Sequence, residues 1–202
     1  MAIYNTSADS ANTAVRAFLT KVGELYLGHG FNTGSGKGKR IWAEIREEIF
    51  DNSCAYCGAK DKKLTIEHLI MFNRAEFGLH HPGNIVPCCV ACNSRKKDSD
   101  KNYLNWEEHL RILCEETGRE GDFASRKKMI EDHHSSGRFK YPELTVEEVS
   151  AIKVIARSLY ENIKAEGEKS LSLYKDLDRE FVGKPGTEQD GAGQPATRPE
   201  SK

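Results

Sequence analysis

Cys54-Ala55-Tyr56-Cys57 and Cys89-Val90-Ala91-Cys92 bracket Glu67-His68 and Asn84, and Asn93 follows the second pair directly. Two Cys-x-x-Cys pairs can close a tetrahedral zinc site, each pair supplying two thiolates from one tight turn. The groups between and just after the pairs are a carboxylate, an imidazole and two amides. They suit a hard divalent ion and the activation of a water. A zinc staple around such a set points to metal-dependent phosphodiester hydrolysis.

Cys54, Cys57, Cys89 and Cys92 would form a closed site with no open position, so this zinc is expected to be structural. Cys88 competes with Cys89, but only Cys89 keeps the two-residue spacing to Cys92. Cys88 is expected to be a buried thiol, and Cys114 a core residue on a helix. Glu67 and Asn93 offer oxygen ligands to a second, catalytic ion, Mg²⁺ or Mn²⁺. His68 is the expected general base, since imidazole titrates near neutrality. Both Glu67 and His68 can reach one site only if they sit where a strand gives way to a loop. The Asn84 amide is expected to bridge the loop after His68 and hold its surroundings.

Cys54-x2-Cys57, Glu67-His68, Gly83-Asn84-Ile85-Val86-Pro87 and Cys89-x2-Cys92-Asn93-x2-Lys96 resemble the His-Asn-His (HNH) endonucleases with a zinc-stapled ββα-metal fold. The likeness runs over residues 45–97. It implies His68 as the base, Glu67 and Asn93 as ligands of the divalent metal, and Asn84 as a structural member of the site. Two departures are visible. The family more often has Asp before the histidine, and residues 69–83 lack its usual proline soon after. That loop carries Asn73, Arg74, His80 and His81 instead. His80 and His81 read first as loop residues near Pro82, with a phosphate contact or an extra metal ligand as the sharper alternative.

The elements that must position these groups read as mostly helical. Apolar spacing predicts helices over residues 10–27, 40–50, 103–116 and 123–133. Gly28, Gly118 and Gly137 fall at or after helix ends. Thr145-Val146-Glu147-Glu148 is a capping box, opening a helix with Val146, Val149, Ile152, Ile155, Leu159 and Ile163 on one stripe. Residues 64–66 and 84–87 alternate like strands, and 91–97 read as a helix. The expected fold is mainly α with a small ββα-metal core, an α+β arrangement flanked by helices on both sides. Its parts are an N-terminal helix and basic loop (1–39), the nuclease core (40–101), a helical C-terminal region (102–181) and a disordered tail (182–202). Residues 32–39 mimic a phosphate-binding loop, but Phe31 stands where its first glycine belongs and Gly38 replaces the Ser or Thr after the lysine.

With 202 residues and a net charge of −1, any surface for a polyanion must be local. Arg95, Lys96 and Lys97 beside the second cysteine pair, Arg74 in the loop, and Lys37, Lys39 and Arg40 are the candidate nucleic-acid contacts. Arg126-Lys127-Lys128 reads as plain surface, because Glu131 and Asp132 follow. No apolar run could span a membrane and no signal peptide is visible, so the six cysteines are expected in a reducing, cytoplasmic setting. The expected partner is DNA, double-stranded because no aromatic platform for unstacked bases is evident. A homodimer remains open. The competing readings are a non-catalytic zinc module that binds nucleic acid or protein, and a nuclease of the same core directed at RNA.

Overall fold

A computed structural model describes residues 6–182, and the tail expected over 182–202 lies outside the described residues except for Val182. The chain divides into two compact units, one through Lys164 and one from Ala165. All the cysteines and the candidate site belong to the first.

Helix α1 spans Ser7–Leu27; the Thr6 hydroxyl accepts from the Asp9 amide at its start, and Gly28 closes it at φ 78°. Its buried residues, Ala11, Val15, Leu19 and Gly23, recur every four positions. Ala11, Val15 and Leu19 pack with Phe77 and Leu79 of the central loop and with Ile152, Ala156 and Tyr160 of α5 (Val146–Leu177). Helix α2 covers Gly36–Glu44 and runs on through a wider turn at Ile45–Ile49. The basic stretch expected as a flexible loop is therefore helical from Gly36. Gly38 lies so close to Asn32 that a Cβ would stand 2.4 Å from its backbone N and O.

Strands β1 (Leu64–His68) and β2 (Ile85–Cys89) pair antiparallel, with Glu67 opposite Val86 and His68 opposite Ile85. Under and around this hairpin lies a core of Phe31, Ile41, Ile45, Phe50, Tyr56, Leu69, Ile85, Val86, Leu110 and Ile130. Helix α3 (Trp106–Glu116) is capped by Asn105, whose side chain accepts from the Glu108 amide. Helix α4 (Phe123–Glu131) follows, with a wide turn at Asp132–Ser136.

The helix expected over 91–97 does not form. The chain turns at once, with the Cys92 and Asn93 amides donating to Cys89 O. The Lys96 amide then bonds His109 Nδ1, and Lys97 bridges to Tyr103. The amides that would have built a helix are engaged elsewhere.

The Thr145 capping box forms as its residues require. The Glu148 amide donates to the Thr145 hydroxyl at 3.2 Å, and the Thr145 amide to the Glu148 carboxylate at 2.7 Å. The apolar stripe of α5 is displaced from the expected one. Ile152, Ala156 and Tyr160 are buried, whereas Val146, Ile155 and Ile163 face outward. Burial follows the four-residue spacing that lies along α1, and small Ala156 permits it. Among the described residues, no helix is long and apolar enough to cross a membrane.

Candidate functional site

The sulfurs of Cys54, Cys57, Cys89 and Cys92 all lie within 4.8 Å of one another, and those of Cys57 and Cys89 are 3.8 Å apart. A tetrahedron with Zn–S bonds of about 2.3 Å has edges of about 3.8 Å, so the donor set fits zinc in size and chemistry. Each pair sits on its own turn. The Gly58 amide donates to Cys54 O, and the Cys92 amide to Cys89 O. The Cys89 amide also donates to the Cys54 sulfur at 3.3 Å. Cys88 is fully buried and outside the group, and its interaction with Cys54 pushes its thiol up. Arg126 of α4, expected at the surface, instead donates to Cys54 O, covering the first turn.

The second strand begins where Asn84 ends a short turn, Pro82–Asn84. Its side chain is fully buried. Nδ2 donates to Ile70 O and Leu79 O, and Oδ1 accepts from the Ile70 amide at 2.8 Å. One side chain thus ties both ends of the loop that joins the strands. The Leu69 amide, donating to Asn84 O, closes the same junction.

Glu67 and His68 are the last two residues of β1, the strand-to-loop position that a shared site requires. With Asn93 they line one cleft of about 440 Å³, together with Arg16, Ile66, Met71, Phe72, Asn73 and Tyr103. The Asn93 amide group is oriented by donation to Thr65 Oγ1 (2.8 Å) and Ile66 O (3.1 Å), which leaves its oxygen free of both bonds. Glu67 is buried against Arg95, which donates to Oε1 through Nε and Nη2. Burial pushes the Glu67 carboxyl up, and Arg95 opposes that shift. Glu67 and Asn93 therefore provide hard oxygen donors, the set that Mg²⁺ or Mn²⁺ would take.

His68 stacks on Phe72 at 4.9 Å between centroids, and its Nε2 lies 3.0 Å from His80 Nδ1. Burial, with the charges of His80, Arg16 and Arg95, pulls its pKa down to about 3. The ring is neutral at physiological pH, and the same shift weakens it as a proton acceptor relative to a free imidazole. His80 is also lowered by burial, and Glu24 opposes the shift. A second cleft, of about 410 Å³, adjoins the first through Ile66, His68 and Phe72, and adds Thr20, Glu24, Asn32, Thr33 and His80.

The basic residues separate. Arg95, expected to meet phosphate, is buried and bonded to Glu67, His68 O, Leu69 O and Leu104 O, so it cannot reach substrate. Lys96 pairs with Glu116. Lys97 sits 4.5 Å over the Tyr103 ring at the cleft rim. Arg74 leaves the cleft and stacks on Tyr160 of α5 at 4.3 Å, while its neighbour Asn73 stays in. Lys37, Lys39 and Arg40 are exposed on α2 and line neither cleft. His80 is brought to the site, whereas His81 turns away to accept from the Gly83 amide.

Arg16, Phe72 and Tyr103 were not singled out from the sequence. Only the fold shows which loop faces the α1 stripe, though Phe72 lies four residues past His68.

No curated protein and no solved structure matches the chain. The family model described as HNH endonuclease matches residues 54–99, the segment that holds the four clustered cysteines, Glu67, His68, Asn84 and Asn93. Residues 54–99 are thus similar to the HNH endonuclease domain, which points to a nuclease-type or nucleic-acid-related function.

Proposed function

We propose that this protein is an HNH endonuclease that hydrolyses phosphodiester bonds of duplex DNA with a divalent metal ion. The observation that carries the reading is the meeting of Glu67, His68 and Asn93 in one open cleft beside the four-thiol group. A non-catalytic zinc module has no need of that convergence.

In this reading a structural zinc holds the two cysteine turns, and with them β1, β2 and Asn93. Asn84 fixes the loop so that His68 keeps its place. If the proton of the His68–His80 bond sits on His68 Nε2, the Nδ1 lone pair remains to accept a proton from water. That water oxygen forms a new bond to phosphorus, the opposite P–O bond breaks, and the leaving oxygen takes a proton from solvent. Stacking on Phe72 limits rotation of the imidazole. A divalent ion held by Glu67 and Asn93 would neutralise the charge that grows on the phosphoryl and leaving oxygens.

The test is cleavage of supercoiled plasmid by the zinc-loaded protein with Mg²⁺, Mn²⁺ or chelator, beside His68→Ala. Cutting that needs the added ion and disappears in a folded His68→Ala protein is the expected result. A fully active His68→Ala protein removes the assignment of the base. A folded, zinc-loaded wild type that binds but never cuts duplex DNA favours the binding module, and cutting of RNA alone redirects the substrate.

A further inference from the structure

Arg16 lies outside the matched segment, yet it lines the same cleft as Glu67, His68 and Asn93. Its helix is held there closely. Gly23 of α1 crosses His80 at a distance where a Cβ would stand 2.4 Å from His80 O, so no larger residue fits without a shift. Beside the buried Ala11-Val15-Leu19-Gly23 face runs a second stripe, Arg16, Thr20 and Glu24, again at four-residue spacing. Thr20 and Glu24 border His68 and His80 in the adjoining cleft, and Arg16 continues the stripe into the cleft of Glu67 and Asn93.

The charges along that stripe are not equivalent. Glu24 is engaged by Lys21 at 2.7 Å and by the Phe31 amide at 2.9 Å. Arg16 is exposed and has no carboxylate within ion-pair distance among the described residues. The one acid in its cleft, Glu67, already holds Arg95. The remaining polar lining is neutral: Asn73, Asn93, His68 and Tyr103. A free guanidinium over such a surface suits a planar, bidentate anion contact.

We infer that Arg16 binds the non-bridging oxygens of the phosphodiester that enters the cleft and holds it against His68. This rests on the nuclease reading. It makes α1 part of the active site and not merely a support for the loop.

The experiment uses the full chain as wild type, Arg16→Ala, Arg16→Lys and a control, Arg111→Ala, whose side chain pairs with Glu115 on the exposed face of α3. Zinc content and thermal melting check each fold. Initial cleavage rates of a duplex are measured against its concentration. Duplex binding is measured in a His68→Ala background at several salt concentrations. Arg16→Ala is expected to lose about tenfold or more in kcat/KM, equivalent to about 1.4 kcal/mol. Its log K against log salt slope should shrink by about 0.9, the value of one lost phosphate contact. Arg16→Lys should keep the slope but recover only part of the rate, because an ammonium lacks the fork. If wild type cuts while Arg16→Ala cuts and binds equally well with the same slope, the role of Arg16 is overturned and the nuclease reading stands. If folded wild type neither cuts nor binds nucleic acid, both fall together.

Discussion

Arg95 directs both Nε and Nη2 at a single oxygen of Glu67, Oε1, in a pair whose side chains are 2% and 11% exposed. The same guanidinium reaches His68 O at 2.9 Å and Leu104 O at 3.3 Å. Arg95 is thus a strut between the end of β1 and the segment entering α3. It holds the Glu67 carboxylate while leaving its second oxygen outside the pair.

Removing one partner of a buried ion pair leaves the other charge without compensation. Arg95→Met is expected to lower unfolding free energy by about 3–5 kcal/mol. Arg95→Met with Glu67→Gln should regain a large share of that loss, since no buried charge is stranded. Urea denaturation of both proteins decides it. An equal loss in the single and double variants would place the cost in lost packing and carbonyl bonds, not in the ion pair.

The four-thiol group makes a sharp distinction between two adjacent cysteines. Cys89→Ser is expected to abolish stoichiometric zinc binding and, with it, cooperative folding, because a structural site rarely survives loss of a thiolate. Cys88→Ser should retain the metal, since Cys88 lies outside the cluster. Native mass spectrometry reads both. Zinc kept by Cys89→Ser and lost by Cys88→Ser would reverse the ligand assignment.

Asn84 offers a test of how the loop is held. Asn84→Ala removes one acceptor and two donations at a fully buried position. Each unpaired buried group costs about 1–3 kcal/mol. The Ile70 amide should then exchange with solvent far faster than in wild type, and cleavage should fall because His68 loses its fixed setting. Unchanged exchange at Ile70 would mean that the loop does not depend on this amide.

Much of this site was legible because its chemistry is written in short spacings. The cysteine turns, the Glu67-His68 pair and the Thr145 capping box each close within a few residues, so local sequence determines them. Residues whose roles depend on distant partners were not legible. Arg95 has the look of a surface cation beside Lys96 and Lys97, and only the depth of Glu67 explains its burial. Arg74 meets Tyr160 and Arg126 meets Cys54 across long stretches of chain. The helix expected over 91–97 failed because His109, beyond that segment, and Tyr103 compete for its backbone. The α5 stripe was misplaced because α1 and the loop residues Phe77 and Leu79 choose the face that is buried.

The turn that carries Asn84 should make the fold sensitive to acid. His81 is buried, accepts from the Gly83 amide through Nδ1, and lies near His134 and His133, with Tyr141 against its ring. Burial first, then those imidazoles, pushes its pKa down to about 4. Burial lowers His133 and His134 as well, against the opposing effect of their bonds to backbone carbonyls. In the unfolded chain each would titrate near about 6.5. Below that pH the unfolded state binds protons that the folded state refuses, so stability is complete above about pH 6.5 and falls as the pH drops towards 4. For His81 alone the loss across that window is on the order of 3 kcal/mol. His81→Asn keeps a short acceptor for the Gly83 amide but cannot titrate there. Its unfolding free energy, followed by urea titration from pH 7 to 4, should decline less steeply than that of wild type. Parallel curves would show that His81 takes up its proton without opposing the fold, and would assign the acid sensitivity to other groups.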